Sequence, residues 1–71
     1  MRKLSRQRTQ HFSVQNEGSI FLLRPLTHAA RLWIAENLSP DRLVFGDAVI
    51  VERGFILEPL EGILADGLEV S

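Results

Sequence analysis

The sequence has 71 residues, no cysteine and a formal net charge of −1, and 45% of its residues are hydrophobic. A chain of this length forms one domain that buries only about 60% of the surface that its unfolded form exposes. The lack of cysteine excludes disulfides and thiolate metal sites. No apolar run reaches the roughly 18 residues of a membrane helix, and no signal peptide is visible, so we expect a cytoplasmic protein without membrane contact.

The charge is unevenly distributed along the chain. Residues 1–10 contain four basic residues and no acidic one, whereas residues 47–71 contain six acidic residues and a single arginine, Arg53. Because the start of the chain is polar and lacks periodicity, we predict a flexible basic tail over residues 1–11 and one compact domain over residues 12–71. The predicted domain is acidic.

The first predicted strand is the apolar run SIFLLR, residues 19–24. It follows a short alternating piece at Phe12 and Val14 and a turn cluster at residues 16–18. A run that is apolar on both faces favours a central strand covered on both sides, and Pro25 ends it.

A helix is predicted over residues 28–38, with Thr27 as its N-cap. At about 100° per residue, one face carries the predicted core residues, with Leu38 at its margin and Leu32 well outside it. The core face consists of Ala29, Ala30, Trp33, Ile34 and Asn37. We interpret Trp33 as a packing residue rather than a binding hot spot.

A hairpin and a second helix complete the chain. Residues 42–45 and 48–52 are rich in β-branched residues and flank Gly46 and Asp47, which predicts a tight hairpin. Ile56, Leu60, Ile63 and Leu64 recur at helical spacing, which predicts a helix that begins near residue 54 or 55. Pro59 then lies near the first turn, Gly67 ends the helix, and residues 68–70 predict a short last strand.

This order of elements predicts an α+β fold. A small, mainly antiparallel sheet carries two helices packed on one face, in the order β-α-β-β-α-β. Helices on one face leave the other face partly open, so a partner or a second copy is expected to cover it. We expect a monomer or a weak dimer.

The sequence contains no pattern that supports catalysis. The two histidines, His11 and His28, lack convergent ligands, and no glycine-rich phosphate loop is present. We therefore predict a protein that is not an enzyme and binds no cofactor or metal.

The candidate partner-binding residues are acidic, with two apolar additions. Glu58 and Glu61 lie three residues apart on the outer side of the second helix, and an array of carboxylates there would imitate the phosphate charges of duplex DNA. Leu32 and Phe55 project away from the main apolar faces and are candidate apolar anchors. A charge-rich helix face can also be merely solvated. The predicted acidic surface comprises Asp47, Glu52, Glu58, Glu61, Asp66 and Glu69.

Three stretches carry a resemblance to a known group: GSIFLLRPLTHAARLWIAENL, FGDAVIVERGFI and EGILADGLEV. Together they resemble a group of small, mostly uncharacterised bacterial and phage proteins over residues 12–70, and the chain is similar to anti-CRISPR inhibitors of type I-C systems. Leu32, Gly54 and Pro59 depart from the group's common pattern. The shared motif predicts core residues, so no functional residue is transferred.

Two classes of function follow. The first is a phage or mobile-element inhibitor that binds a host CRISPR-Cas effector complex, at its DNA-recognising subunit, and blocks target DNA without binding nucleic acid itself. The second is a bacterial regulatory or antitoxin-like module that contacts a protein or, through its basic tail, DNA. Four basic residues without interleaved aromatics make a weak nucleic-acid site, which favours the first class.

Overall fold

A computed structural model of the protein describes residues 10–71, which form a four-stranded antiparallel sheet and two α-helices. Strand β1 spans Phe12–Asn16, β2 Ile20–Pro25, β3 Val44–Phe45 and β4 Ala48–Glu52. Helix α1 spans His28–Asn37 and α2 Leu57–Ala65, and a single 3₁₀ turn, Arg53–Phe55, precedes α2. The α+β class is confirmed. Most of the predicted tail lies outside the described residues.

The sheet has the strand order β1-β2-β4-β3, and all three strand pairs are antiparallel. The predicted central position of β2 is confirmed, since it pairs with β1 on one side and with β4 on the other. Both turns between paired strands use a glycine with positive φ: Gly18 at 98° and Gly46 at 64°. Glycine reaches this region without steric cost, which allows these tight reversals.

The order of elements differs from the prediction at both ends of the chain. Residues 12–16 form a full strand, β1, although only Phe12 and Val14 of that segment are apolar. The predicted last strand is reduced to one parallel bridge between Phe12 and Val70. The observed order is therefore β-β-α-β-β-α. His11 also belongs to the fold, because its backbone oxygen accepts a hydrogen bond from the Leu26 amide at 2.8 Å.

Helix α1 begins as predicted. The Thr27 hydroxyl accepts a hydrogen bond from the Ala30 amide at 3.1 Å, which satisfies one of the free amides of the first turn. The buried stripe is narrower than predicted, because Ala30, Trp33 and Ile34 are buried whereas Ala29 and Asn37 are exposed. A small sheet covers only a narrow strip of a ten-residue helix.

Helix α2 lies after the 3₁₀ turn. Pro59 is its third residue, where the missing amide has no intrahelical acceptor in any case. The helix ends at Ala65, and Gly67, with φ of 83°, closes it: the Leu68 amide donates to the Ile63 oxygen and the Gly67 amide to the Leu64 oxygen. This is the Schellman arrangement, and it confirms the predicted stop.

The core lies between the two helices and one face of the sheet. Its centre includes an edge-to-face contact between the Phe12 and Trp33 rings, with centroids 6.0 Å apart and planes at 83°. The buried cluster consists of Phe12, Leu23, Ala30, Trp33, Ile34, Val49 and Ile63. Because α1 and α2 both contribute to this cluster, the predicted placement of two helices on one face is confirmed.

Candidate functional site: the outer face of the second helix

The buried residue Ile63 shows which side of α2 faces the core. Ile63 is fully buried, and Leu60 packs against the same core. At about 100° per residue, Glu61 and Glu58 lie nearly opposite Ile63, at about 160° and 140° from it, and Leu57 and Leu64 lie on the adjoining flank, at about 120° and 100°. We call these four residues the α2 outer face.

The α2 outer face carries two exposed carboxylates. Glu58 and Glu61 are both exposed and lie three residues apart. Residues at this spacing are neighbours on a helix surface, with Cβ atoms about 5–6 Å apart. The two carboxylates therefore present a pair of negative charges in one direction, as predicted.

The same face carries apolar residues that the sequence analysis did not single out as surface residues. Leu57 is 69% exposed and Leu64 is 60% exposed. Leu64 belongs to the apolar spacing that predicts the helix, but it is exposed because the core accepts only the side of α2 that carries Leu60 and Ile63. Leu57, Glu61 and Leu64 follow the i, i+4, i+7 spacing of helices that dock into a partner's groove. A helical wheel drawn with Leu64 on the outer side of α2 would have shown that Leu57, Glu61 and Leu64 share one face.

Phe55, in the preceding 3₁₀ turn, is 63% exposed, as its position off the apolar face of the helix predicts. It lies two residues before Leu57. A shallow groove of about 230 Å³ separates α1 from α2 on another side, and Glu58 stands on its rim. The groove is lined by Trp33, Asn37, Leu38, Glu58, Pro59 and Gly62.

Two of the predicted acidic residues are exposed but make hydrogen bonds to other parts of the chain. The Asp47 carboxylate accepts a hydrogen bond from Arg24 Nε at 3.2 Å, in an ion pair that bridges β2 and the β3–β4 turn. The Asp66 carboxylate accepts a hydrogen bond from Trp33 Nε1 at 2.7 Å. Both carboxylates therefore make contacts that connect different elements of the fold.

The other two acidic residues lie outside the α2 outer face. Glu52 ends β4, and the five-residue separation places it roughly 16 Å along the strand from Asp47. Glu69 is half-buried, and its amide donates to His11 Nδ1 at 2.9 Å. The six acidic residues therefore occupy several elements, and only Glu58 and Glu61 share a helix face.

Leu32 is 48% exposed, as its position off the core stripe predicts. It lies on α1, so it belongs to a different helix from Phe55 and the α2 outer face.

Among residues 10–71 no group of three or more His, Cys, Asp or Glu side chains could hold a metal ion. Within the same range no helix has the length and apolar character needed to cross a membrane.

Comparison of the chain with protein-family models, with curated proteins and with solved structures gives no match. The resemblance to anti-CRISPR inhibitors therefore stays a prediction from the sequence.

Proposed function

We propose that this protein acts by binding another protein through the α2 outer face, and that it is a small inhibitor of the anti-CRISPR kind. The observation that carries the proposal is the combination, on one helix face, of two exposed carboxylates with two leucines that are each at least 60% exposed. Large apolar side chains grouped on one exposed helix face, unlike isolated ones, are typical of interaction surfaces.

The chemistry of this face specifies the kind of surface it fits. Glu58 and Glu61 match a site lined with lysine and arginine, such as a groove that binds DNA phosphates. Leu57 and Leu64 match an apolar pocket beside those cations, since burying a leucine side chain contributes about 1.5–3 kcal/mol. Basic groups next to apolar pockets are typical of nucleic-acid-binding proteins that also contact sugars and bases.

The sequence resemblance supplies the partner within this proposal. CRISPR effector complexes hold the guide–target heteroduplex in a positively charged channel, and an inhibitor that occupies part of such a channel would block target DNA binding. Only two carboxylates share the α2 outer face, so the proposed interaction combines charge imitation of DNA with apolar anchorage. The inhibitor then needs no catalytic group and no cofactor.

The test is a gel shift of a labelled target duplex with a guide-loaded type I-C effector complex. We expect the full chain to abolish the shifted band and the variant Leu57→Ser/Leu64→Ser to lose this effect, while both chains keep the same circular dichroism spectrum. A matched control is Leu26→Ser, because Leu26 is exposed before α1 rather than on α2.

The same assay without effector separates the second class of function. A regulatory module that reads DNA would shift the duplex by itself and would lose this activity on deletion of residues 1–9. That result, or an unaffected effector complex, would contradict the proposed inhibitor.

A further inference from the structure

Strand β3 forms an edge of the sheet that no element of residues 10–71 covers. The opposite edge, at β1, is closed by the end of the chain: the Phe12 amide donates to the Glu69 oxygen at 3.1 Å, and the Ser71 amide donates to the Phe12 oxygen at 2.9 Å. Within the described part of the chain, no comparable segment lies beside β3. An uncovered edge is able to pair with a further strand.

The backbone groups of Val44 point away from the sheet. Phe45 and Ala48 flank a two-residue turn, so they form a hydrogen-bonded pair of the hairpin. Two residues further from the turn, the Ile50 amide donates to the Leu43 oxygen at 2.9 Å. Because hydrogen-bonded and non-hydrogen-bonded pairs alternate in an antiparallel ladder, Val44 directs its N–H and its carbonyl oxygen outward. One added strand would satisfy both groups.

The side chains of this edge are apolar and exposed. Leu43 is 69% exposed, Val44 55% and Phe45 65%. Edge strands are commonly protected from pairing by lysine or proline, and residues 43–45 contain neither. Three exposed apolar residues in succession on an unpaired edge form a contiguous contact surface. Since β3 is short, this surface accommodates a segment of only a few residues.

Beside this edge lies a groove of about 230 Å³ between α1 and the β3–β4 hairpin. Ile34, Val44 and Val49 contribute apolar side chains to its lining. Arg31 from α1 and Arg42 from the chain just before β3 also line it. The groove therefore combines apolar surface with two guanidinium groups.

This groove carries an excess of positive charge. Arg31 and Arg42 form no ion pair with any side chain of residues 10–71, and Nη1 of Arg42 donates to a neutral acceptor, the Ser39 oxygen, at 2.9 Å. The carboxylate of Asp47 also lines the groove, but it is already paired with Arg24 at 3.2 Å. Two guanidiniums without a counter-ion match a carboxylate from outside the described chain.

We propose that the β3 edge binds an extended, acidic segment of a partner protein, which adds a fifth, antiparallel strand to the sheet. The backbone of the segment pairs with Val44, and a glutamate or aspartate at the paired position points, like Val44, into the groove beside Arg31 and Arg42. The neighbouring side chains of the segment lie next to Leu43 and Phe45 on the other side of the sheet. This site is separate from the α2 outer face, and it binds a carboxylate rather than presenting one.

Two other occupants match the edge less well. A second copy that pairs through Val44 would place arginines on both sides of the contact, because Asp47 of each copy is already paired with Arg24. A nucleic-acid strand would contact the arginines through its phosphates, but it would leave the Val44 N–H without an in-register acceptor. An acidic peptide satisfies both the backbone and the charges.

The test is titration of the isotope-labelled full chain with the capped peptide acetyl-Thr-Val-Glu-Val-Thr-amide to about 1 mM, followed by amide NMR spectra. The signals of residues 43–45 should shift progressively, and the Val44 amide proton should move downfield as its hydrogen bond forms. One control peptide has glutamine in place of glutamate, and another has an N-methylated glutamate that cannot donate. Each control should bind at least about fivefold more weakly.

On the protein side, Arg31→Gln/Arg42→Gln should weaken binding of the glutamate peptide by a similar factor, about fivefold. Glu58→Gln is the matched control, because Glu58 lies on the α2 outer face, and it should bind the peptide as the natural chain does. Thermal unfolding by circular dichroism shows that each variant is folded. The α2 outer face is intact in Arg31→Gln/Arg42→Gln, so effector inhibition by this variant tests the other proposal separately.

Equal binding of the three peptides, or no shift of residues 43–45 at about 1 mM peptide, would overturn the proposal. Shifts of the Val44 signal that depend on the concentration of the free chain would also overturn it, since they would identify a second copy as the occupant. A short single-stranded DNA that binds this edge more tightly than the glutamate peptide would replace the acidic segment by a nucleic acid.

Discussion

At the scale of single residues, Asp66 illustrates how an acidic residue can be structural. Its carboxylate accepts the Trp33 Nε1 hydrogen bond at 2.7 Å in a partly buried position, directly at the end of α2. Trp33 is buried in the core, so its indole N–H needs an acceptor that does not require water. Asp66 therefore ties the end of α2 to the middle of α1.

We expect Asp66→Ala to lower the free energy of unfolding by about 1–2 kcal/mol, because it leaves the Trp33 N–H without its acceptor. Asp66→Asn keeps an acceptor oxygen and should cost clearly less. Urea unfolding followed by the fluorescence of the single tryptophan measures both variants. Equal stability of the alanine variant and the natural chain would contradict this role.

The exposed residues show what a sequence can and cannot specify at this scale. Leu32 and Phe55 fall outside a helical stripe that is easy to define, and both are exposed. Leu64 could not be placed, because the spacing of Ile56, Leu60, Ile63 and Leu64 fits a helix in two phases. Only the position of the sheet determines that the side of α2 carrying Ile63 is the one that faces the core.

At the scale of elements, α1 and α2 approach closely at one point. A Cβ atom on Gly62 would lie 3.1 Å from Trp33 Cζ2, which is closer than nearly all Cβ contacts. The indole has little freedom to move, since it contacts Phe12 on one side and is hydrogen-bonded to Asp66. The absence of a side chain at residue 62 therefore allows the two helices to pack.

We expect Gly62→Ala to destabilise the protein by about 1 kcal/mol, although alanine is about 1 kcal/mol better than glycine in an unstrained helix. Gly54→Ala is the matched control, because Gly54 has open space around its Cβ position and no positive φ. The control should leave the midpoint of thermal unfolding unchanged or raise it. A higher midpoint for Gly62→Ala would show that the indole has room to move.

Most of the helices, strands and turns can be predicted from local sequence patterns. The continuous apolar run of β2, the cap at Thr27, the glycine turn at residues 46–47 and the glycine stop at residue 67 are all local signals, and each has its expected structure. Strand β1 was missed because FSVQN has only two apolar residues. Its stability depends on pairing with β2, as Val14 with Leu23, which no local pattern shows.

At the scale of the whole molecule, the acidic residues that are close together in sequence do not form one acidic surface. The acidic residues of positions 47–71 follow one another in sequence, but the hairpin turn, the end of β4 and α2 carry them to different places. Asp47 is paired with Arg24 and Asp66 is bonded to Trp33. The sequence predicts that Glu58 and Glu61 share one side of a helix, whereas their association with Leu57 and Leu64 required the fold.

The account's central claim is that Glu58 and Glu61 on the α2 outer face bind a basic protein surface. The most direct test is the affinity of the full chain for a type I-C effector complex, measured at increasing salt for the natural chain, for Glu58→Arg/Glu61→Arg and for Glu36→Arg. Glu36 is an exposed glutamate on α1 and serves as the matched control. We expect the double variant to lose at least about tenfold in affinity and most of the salt dependence, with the control unchanged. Equal affinity of the double variant and the natural chain would contradict the claim.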